Sequence, residues 1–355
     1  MPFWPHFLGG LVERHPGFWR WLGNLETASL ASRLHETAVS MPIYVCGLAR
    51  SGSTLLHELI ASHPAVATHR IKDYPLVFTP YWWRRATAKV PPAAPRERAH
   101  RDGIMITPES PDALEEMIWM AFFPDCHNPA KNNVLGRPDT NLSFDAFYKT
   151  HLGKLLLAEG KPRYAAKANY HVARLAYLVR LFPDARFIIP VREPVDHIAS
   201  LARQHEWFSS GQRSCLRALA YLQRSGHFEF GLDRRPMNLG NGEHVRQITD
   251  AWDSGAEVRG LAMYWSMVYE YLARLLESDD EVRQASLVVR FEDVCLAPAE
   301  TFGRVFEHCR LENAAEISHR RAADVRKPTH QNRLTTDELS TIRQETAATA
   351  SLWGY

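Results

Sequence analysis

Short apolar runs alternate along this chain with stretches in which apolar residues recur every three to four positions. The run at residues 42–47 ends in glycine, and residues 53–62 then show helical periodicity. The same succession recurs at 163–167 with 171–182, at 186–191 with 194–204, and at 286–290 with 298–309. The pattern predicts strands buried on both faces, each followed by a helix.

Alternating strands and helices predict an α/β fold with a P-loop-like, mostly parallel sheet flanked by helices. Residues 206–284 show no clear strand and are predicted to form a helical insertion or lid. Residues 1–41 are rich in aromatics and are predicted to form a helical segment packed on the body, with docking to a membrane surface as the alternative. We expect one domain over residues 1–355, with a core formed by 42–205 and 285–355.

Composition narrows the class of protein and of partner. Hydrophobic residues at 45% and charged residues at 23% of 355 positions are typical of a soluble globular protein. A formal net charge of +2 favours no nucleic-acid partner, so any anion site has to be local. No run reaches the roughly 18 apolar residues of a membrane span. The five scattered cysteines form no CxxC pair, which predicts neither disulfides nor a zinc ribbon and favours a cytoplasmic location.

The loop after the first apolar run has the spacing of a phosphate-binding loop without its lysine. Gly47 and Gly52 are separated by four residues, but Ser53 stands where such loops carry lysine. A loop between a strand and a helix points backbone N–H groups at one anion. Candidate ligands in this loop are Arg50, Ser51, Gly52, Ser53 and Thr54.

A second strand-to-helix connection carries an arginine and a serine. Arg192 follows a strand, and Ser200 lies eight residues later on the next helix. An arginine can make a bidentate pair with a phosphate, and a hydroxyl two helical turns on can reach the same group. For a lone arginine, a surface ion pair is the usual alternative.

The loop and the "FPDARFIIPVREPVDHIASL" segment together resemble the sulfotransferase family, in particular its bacterial and tyrosylprotein types. The resemblance implies a nucleotide-binding core and the co-substrate 3'-phosphoadenosine 5'-phosphosulfate, with no metal. The loop would hold the 5'-phosphosulfate through Arg50, and Arg192 with Ser200 the 3'-phosphate. Lys167 would lie beside the transferring group, and Lys327 in the late basic run would close over the 3'-phosphate.

The resemblance also implies an acceptor and a general base. The acceptor is expected to be a hydroxyl, or else an amine, of a small molecule, lipid, glycan or peptide. Arg70 occupies the place at which relatives carry a catalytic glutamate, so the nearest candidate bases are His69 and Asp73. Glu115 and Glu116 are further candidates, or else part of a solvated helix face.

Two other functions fit the same loop. A P-loop kinase with a degenerate loop would require Mg²⁺-dependent ATP turnover. A binding or scaffold protein without catalytic activity would keep the nucleotide cleft but lack a base. The sequence leaves the oligomeric state open.

Overall fold

The structure is a computed structural model that describes residues 3–91, 93–325 and 334–355. Five parallel strands form its main sheet in the order β2-β5-β1-β6-β7, and β3 and β4 form a separate antiparallel hairpin. The strands are β1 Ile43–Val45, β2 Val66–Ala67, β3 Arg96–Glu97, β4 Met105–Ile106, β5 Arg163–Lys167, β6 Arg186–Val191 and β7 Ser286–Arg290.

Helices make up most of the remaining described residues. They are α1 Phe3–Arg14, α2 Pro16–Ser29, α3 Ala31–His35, α4 Ser53–Ala61, α5 Pro80–Thr87, α6 Glu116–Phe122, α7 Leu142–Glu159, α8 Leu175–Leu181, α9 Pro194–Ser214, α10 Leu216–Ser225, α11 Gly242–Asp253, α12 Glu257–Ser278, α13 Asp280–Ala285, α14 Phe291–Leu296, α15 Pro298–His308, α16 Ala315–Ala322 and α17 Thr336–Leu352. Single 3₁₀ turns occupy Ile71–Asp73 and Asn169–Arg174.

Both faces of the sheet are covered, which explains the uninterrupted apolar runs. Tyr44 faces one hydrophobic cluster, which includes α7 and α12 residues, whereas its neighbours Ile43 and Val45 face a second cluster built with α4 and α15. Successive side chains of a strand point to opposite faces, so an apolar residue is required at each position when both faces are buried. The predicted α/β fold is confirmed.

The structure differs from the predicted elements at several boundaries. The helix expected over 171–182 begins as a 3₁₀ turn and becomes α-helical only in α8, and α9 continues ten residues beyond the predicted end. Strand β2 was not predicted, because two residues are too few to show a period.

The helical character predicted for 206–284 agrees with α10, α11 and α12. Trp265 and Tyr269 of α12 are fully buried, and the Tyr269 hydroxyl donates to the Pro190 carbonyl of β6 at 3.2 Å. Part of this segment is therefore a layer of the main core, and its separation from the rest as an insertion stays a prediction.

The N-terminal helices pack against the body through a buried ion pair. The Lys154 ammonium on α7 lies 2.9 Å from the Glu26 carboxylate on α2, and both side chains are inaccessible to solvent. Glu26 also accepts a 2.6 Å hydrogen bond from the Trp82 N–H on α5. Several aromatic residues of α1 and α2 remain exposed, namely Trp4, Phe7, Phe18 and Trp21. Among the described helices, we find none with the length and apolarity needed to cross a membrane.

We expect Glu26→Ala to lower the free energy of unfolding by about 3–5 kcal/mol, because it leaves a buried ammonium without its counter-charge. Urea denaturation followed by circular dichroism measures this loss. Glu36→Ala, which removes an exposed carboxylate just beyond α3, is the control. A loss below about 1 kcal/mol in Glu26→Ala would show that the ion pair does not attach the N-terminal helices.

Candidate active site

The connection between β1 and α4 adopts a strained backbone. Arg50 has a φ of 70° and Gly52 a φ of 101°, both in the left-handed region. A Cβ atom at position 52 would lie 2.7 Å from the Phe291 ring, so only glycine fits there. The Ser51 hydroxyl donates to the Leu48 carbonyl at 2.7 Å and closes the loop. Backbone strain at a non-glycine residue persists only where surrounding contacts enforce it, and it is common at ligand sites.

The loop ends at the N-terminus of α4. Ser53 is the first helical residue and Gly52 its N-cap, without a side chain to cap the first turn. The first N–H groups of a helix have no partner within it and favour an anion. Ser51 and Ser53 are buried, and Thr54 is partly exposed. The loop therefore has the geometry expected of an anion cradle.

The structure brings Arg50, Arg192 and Ser200 together. The Arg192 guanidinium donates to the Arg50 carbonyl at 3.3 Å, and Arg50 Nε donates to the Ser200 hydroxyl at 3.3 Å. Arg192 lies 4.8 Å above the centre of the Phe291 ring. Its Nε is buried and has no hydrogen-bond partner among the described residues. A buried guanidinium with an unpaired donor is suited to bind an anion.

The β3–β4 hairpin contributes two charged residues that the sequence had not indicated. Asp102 accepts a 2.8 Å hydrogen bond from Arg50 and another of 2.8 Å from Arg98 Nε. Arg98 also donates to the Thr54 hydroxyl at 3.3 Å. The strands of this hairpin have two residues each, which is too short to show a period in the sequence. The hairpin thus places a second arginine and a carboxylate on the loop.

Lys167 lies at the carboxyl end of β5, next to the loop. It is paired in register with Val45, the last residue of β1. Burial lowers the pKa of Lys167, the Glu229 carboxylate opposes the shift, and Arg98 and Arg50 add to it. Lys167 is therefore a partly buried ammonium within the same group of cations. Lys327 lies outside the described residues.

His69 and Asp73 lie in a buried ionic network. The Asp73 carboxylate accepts a 2.9 Å hydrogen bond from Arg84 Nε and a 2.8 Å bond from the Arg70 backbone N–H. His69 Nδ1 lies 3.4 Å from the Asp73 carboxylate, and His69 Nε2 lies 3.0 Å from His151 Nε2. His69 is 1% exposed and Asp73 is 0% exposed. These contacts with described residues are structural, and a role for either His69 or Asp73 as a base stays a prediction.

Arg70 has a structural partner as well. Its guanidinium makes two hydrogen bonds to Glu159, at 3.2 and 2.8 Å, and Arg84 donates to the same carboxylate at 2.6 Å. The residue that occupies the expected place of a catalytic glutamate is therefore a cation that ties α7 to the turn at Ile71–Asp73.

Glu115 and Glu116 do not form a solvated face. Glu115 accepts hydrogen bonds from the hydroxyls of Tyr148 and Tyr164 at 2.5 and 2.6 Å and lies 2.8 Å from His171 Nε2. Glu116 is bound by Arg174 through two hydrogen bonds of 2.9 and 2.6 Å. The solvated-face alternative was wrong, because both carboxylates are buried against partners contributed by distant segments.

Comparison with known proteins identifies the family. A sequence model of the sulfotransferase family matches residues 42–228, just over half of the chain. The chain belongs to the sulfotransferase family. It is an enzyme with sulfotransferase activity, as the resemblance implied. No curated protein sequence matches it.

Solved structures show the same fold. The sulfotransferase is similar to STF1 from Mycobacterium tuberculosis H37Rv, with a TM-score of 0.51, 15% identity, and coverage of 96% of this chain and 86% of that chain. It is also similar to STF9 from Mycobacterium avium, with a TM-score of 0.50, 14% identity, and coverage of 92% and 80%. At these identities the similarity establishes a shared fold.

Several aromatic residues near the site are core residues of the sulfotransferase. Phe78, Phe228 and Phe230 are buried in the main cluster, and Trp252 packs against it. A cavity between the loop and Trp252 has a volume of about 20 Å³. This is room for one water molecule, so these aromatic side chains pack the interior around the site.

The network around Asp73 predicts an acid-sensitive stability. Burial alone raises the pKa of Glu159, but Arg70 and Arg84 outweigh burial and lower the pKa to about 2. A carboxylate with a depressed pKa stabilises the folded state above its unfolded pKa of about 4.3, and this contribution is lost as the pH falls towards 2. We expect Glu159→Gln to lose about 3 kcal/mol at pH 7 and to show a flatter pH dependence between about 4.3 and 2.

Urea denaturation at a series of pH values measures this slope. Glu316→Gln, an exposed carboxylate on α16, is the matched control and should retain the wild-type slope. Equal slopes in wild type and Glu159→Gln would contradict the assignment of acid sensitivity to this network.

Proposed function

We propose that the enzyme transfers the sulfuryl group of 3'-phosphoadenosine 5'-phosphosulfate to a hydroxyl group. The observation that supports this proposal is the contact of Arg192 and Ser200 with Arg50 of the loop. Two candidate phosphate sites, separated by 142 residues in sequence, meet at one edge of the sheet. A donor with phosphates at both its 3' and 5' positions needs two such sites.

The charges at the site suit this donor. Arg50 and Arg98 both lower the pKa of Lys167, so the three cations lie near one another. The unpaired Nε of Arg192 adds a buried donor for a phosphate oxygen. These cations and the N–H groups of α4 would hold the 5'-phosphosulfate and 3'-phosphate, so the proposal assigns no role to a metal.

The chain's own groups would also favour the chemical step. Transfer breaks the bond between sulfur and the bridging phosphate oxygen and forms one between sulfur and the acceptor oxygen. Negative charge accumulates on the phosphate oxygen as it leaves. Arg50 and Lys167, fixed before the reaction begins, would stabilise that charge. The site would also hold the acceptor in line with the sulfur and the leaving oxygen.

The acceptor is proposed as a hydroxyl of a small molecule, lipid, glycan or peptide that reaches the carboxyl ends of β1 and β5. The five-stranded main sheet is covered on both faces by helices from the N-terminal, central and C-terminal parts of the described chain. This arrangement supports the proposal that the chain is a single catalytic domain.

Arg192→Ala should weaken the binding of adenosine 3',5'-bisphosphate by about 10- to 100-fold, because a charge-assisted hydrogen bond contributes about 1.5–3 kcal/mol. Binding of adenosine 5'-monophosphate, which lacks the 3'-phosphate, should change little. Isothermal titration calorimetry in the presence of EDTA measures both affinities. Arg304→Ala, an exposed arginine on α15, is the control. Equal losses for both nucleotides would overturn the assignment of Arg192 to the 3'-phosphate, and tight binding of ATP only with Mg²⁺ would favour a kinase.

Asp102→Asn should tighten the binding of adenosine 3',5'-bisphosphate by about 5- to 10-fold, because the Asp102 carboxylate competes with the ligand's phosphate for Arg50 and Arg98. The effect should shrink at high salt, which screens the competing charges. Calorimetry at low and high NaCl measures it, with the exposed Asp253→Asn on α11 as the control. Weaker binding in Asp102→Asn would show that this carboxylate supports the arginines instead of competing for them.

A further inference from the structure

A short segment after α10 carries an acid and an imidazole next to the candidate active site. Residues 226–230 read Gly-His-Phe-Glu-Phe. The Nδ1 atom of His227 lies 3.5 Å from the Glu229 carboxylate, and the two side chains are 23% and 13% exposed. The pair is therefore partly accessible, in contrast to the fully buried His69 and Asp73.

The segment is fixed to the turn that follows Lys167. Asn169 Nδ2 donates to the Glu229 carboxylate at 2.5 Å, and the Phe228 backbone N–H donates to the Tyr170 hydroxyl at 2.9 Å. Asn169 lies two residues after Lys167. These contacts place Glu229 at the carboxyl end of β5, where the candidate catalytic lysine also lies.

The backbone at the start of the segment is equally constrained. Gly226 has a φ of 74°, and a Cβ atom there would lie 2.3 Å from Glu116 Cγ. The His227 backbone N–H donates to the Leu222 carbonyl at 2.8 Å. A residue held on both sides in this way has little freedom to change its position. A group that transfers a proton has to be held in a fixed position in this way.

The charged groups around the His227 imidazole shift its pKa. Burial alone lowers the pKa of His227, but the Glu229 carboxylate outweighs burial and raises the pKa above its ordinary value of 6.5. Lys167 lowers this pKa and Asp112 raises it, to smaller extents. Burial raises the pKa of Glu229, whereas His227, Lys167 and Asn169 lower it to about 2, so Glu229 remains a carboxylate. An imidazole that a carboxylate both orients and makes more basic is suited to act as a general base.

We propose that His227 is the general base that accepts the proton of the acceptor hydroxyl, and that Glu229 is the positioning residue that orients it. The inference rests on the proposed function. With Nδ1 facing Glu229, the lone pair on Nε2 accepts the proton as the acceptor oxygen bonds to sulfur. The bond between sulfur and the bridging oxygen breaks, and its electron pair leaves on the phosphate. The products are a sulfate ester, adenosine 3',5'-bisphosphate and a protonated imidazole.

The geometry favours His227 over the other groups near the site. His69 is turned toward His151 and Asp73, with 1% of its surface exposed. His100 on the hairpin lies among cations, since Arg98 and Arg50 add to burial in lowering its pKa far below the ordinary value. A neutral imidazole in that setting is a weak base. His227 alone among these combines access, an orienting carboxylate and a link to the Lys167 strand.

The first experiment measures sulfuryl transfer from labelled 3'-phosphoadenosine 5'-phosphosulfate to water and to phenols of graded acidity. His227→Asn should lower kcat by about 10²- to 10⁴-fold for weakly acidic acceptors, with a smaller loss for the most acidic phenols, which need a base least. The Kd of adenosine 3',5'-bisphosphate should stay within about twofold of wild type. His35→Asn, an exposed histidine on α3, should leave both values unchanged.

Several outcomes would overturn the proposal. They are an unchanged kcat in His227→Asn, a loss independent of acceptor acidity, and a loss in His100→Asn or His69→Asn with none in His227→Asn. Transfer by the wild type to none of these acceptors, together with no binding of adenosine 3',5'-bisphosphate, would instead refute the proposed function. The two failures are therefore distinguishable.

The second experiment tests the positioning role without an acceptor. The His227 imidazole is titrated by NMR, with its signal assigned by its absence from His227→Asn. In Glu229→Gln the pKa should fall by about one unit, because the carboxylate that stabilises the imidazolium is lost. The rising limb of the pH–kcat profile should move to lower pH by the same amount, with a reduced plateau. An unchanged His227 pKa in Glu229→Gln would overturn the assignment of Glu229.

Discussion

The pairing of β1 between β5 and β6 is the constraint on which the candidate site depends. Parallel strands deliver their carboxyl ends to one edge, so the loop after β1, Lys167 at the end of β5 and Arg192 after β6 meet there. The pairing is secured by burial of both sheet faces, which requires an apolar residue at nearly every strand position. The polar groups of the candidate site are therefore positioned by the hydrophobic clusters on the two sheet faces, to which they do not themselves belong.

The concentration of cations at this edge requires compensation. Burial lowers the pKa of Arg50, and the charges of Arg98 and Arg192 add to this shift. Burial also lowers the pKa of Lys167, where Arg98 and Arg50 have the same effect. Asp102 and Glu229 supply negative charge, one from the hairpin and one from the segment after α10. The candidate anion-binding groups are thus compensated by carboxylates that come from outside the strand-loop-helix units. A phosphate ligand would take over part of that compensation, which links donor binding to the hairpin.

The sequence allowed prediction of the parts that depend on local patterns. The buried strands and the loop around Gly52 follow from periodicity and from turn chemistry within about 20 residues, whereas the pairing of Arg192 with Ser200 was implied by the family resemblance. Asp102 and Glu229 could not be predicted in this way, because their partners Arg50 and Asn169 lie 52 and 60 residues away. Glu115 illustrates the same limit, since an acid beside another acid on a helix gives no sign of two tyrosines and a histidine around it.

The proposed base comes from a different segment than the one that the family resemblance implied. At the expected place of a glutamate, Arg70 pairs with Glu159 and helps to fix the turn that buries His69 and Asp73. An arginine there excludes a carboxylate base but leaves the edge of the sheet open to other elements. The segment at 226–230 reaches that edge because Asn169 and Tyr170 bind it directly after β5. The proposed base places proton acceptance on this segment, while the connections after β1 and β6 carry groups proposed to bind the donor. Because the Glu229 carboxylate also opposes the lowering of the Lys167 pKa, the same segment links the proposed base to the cations proposed to bind the donor.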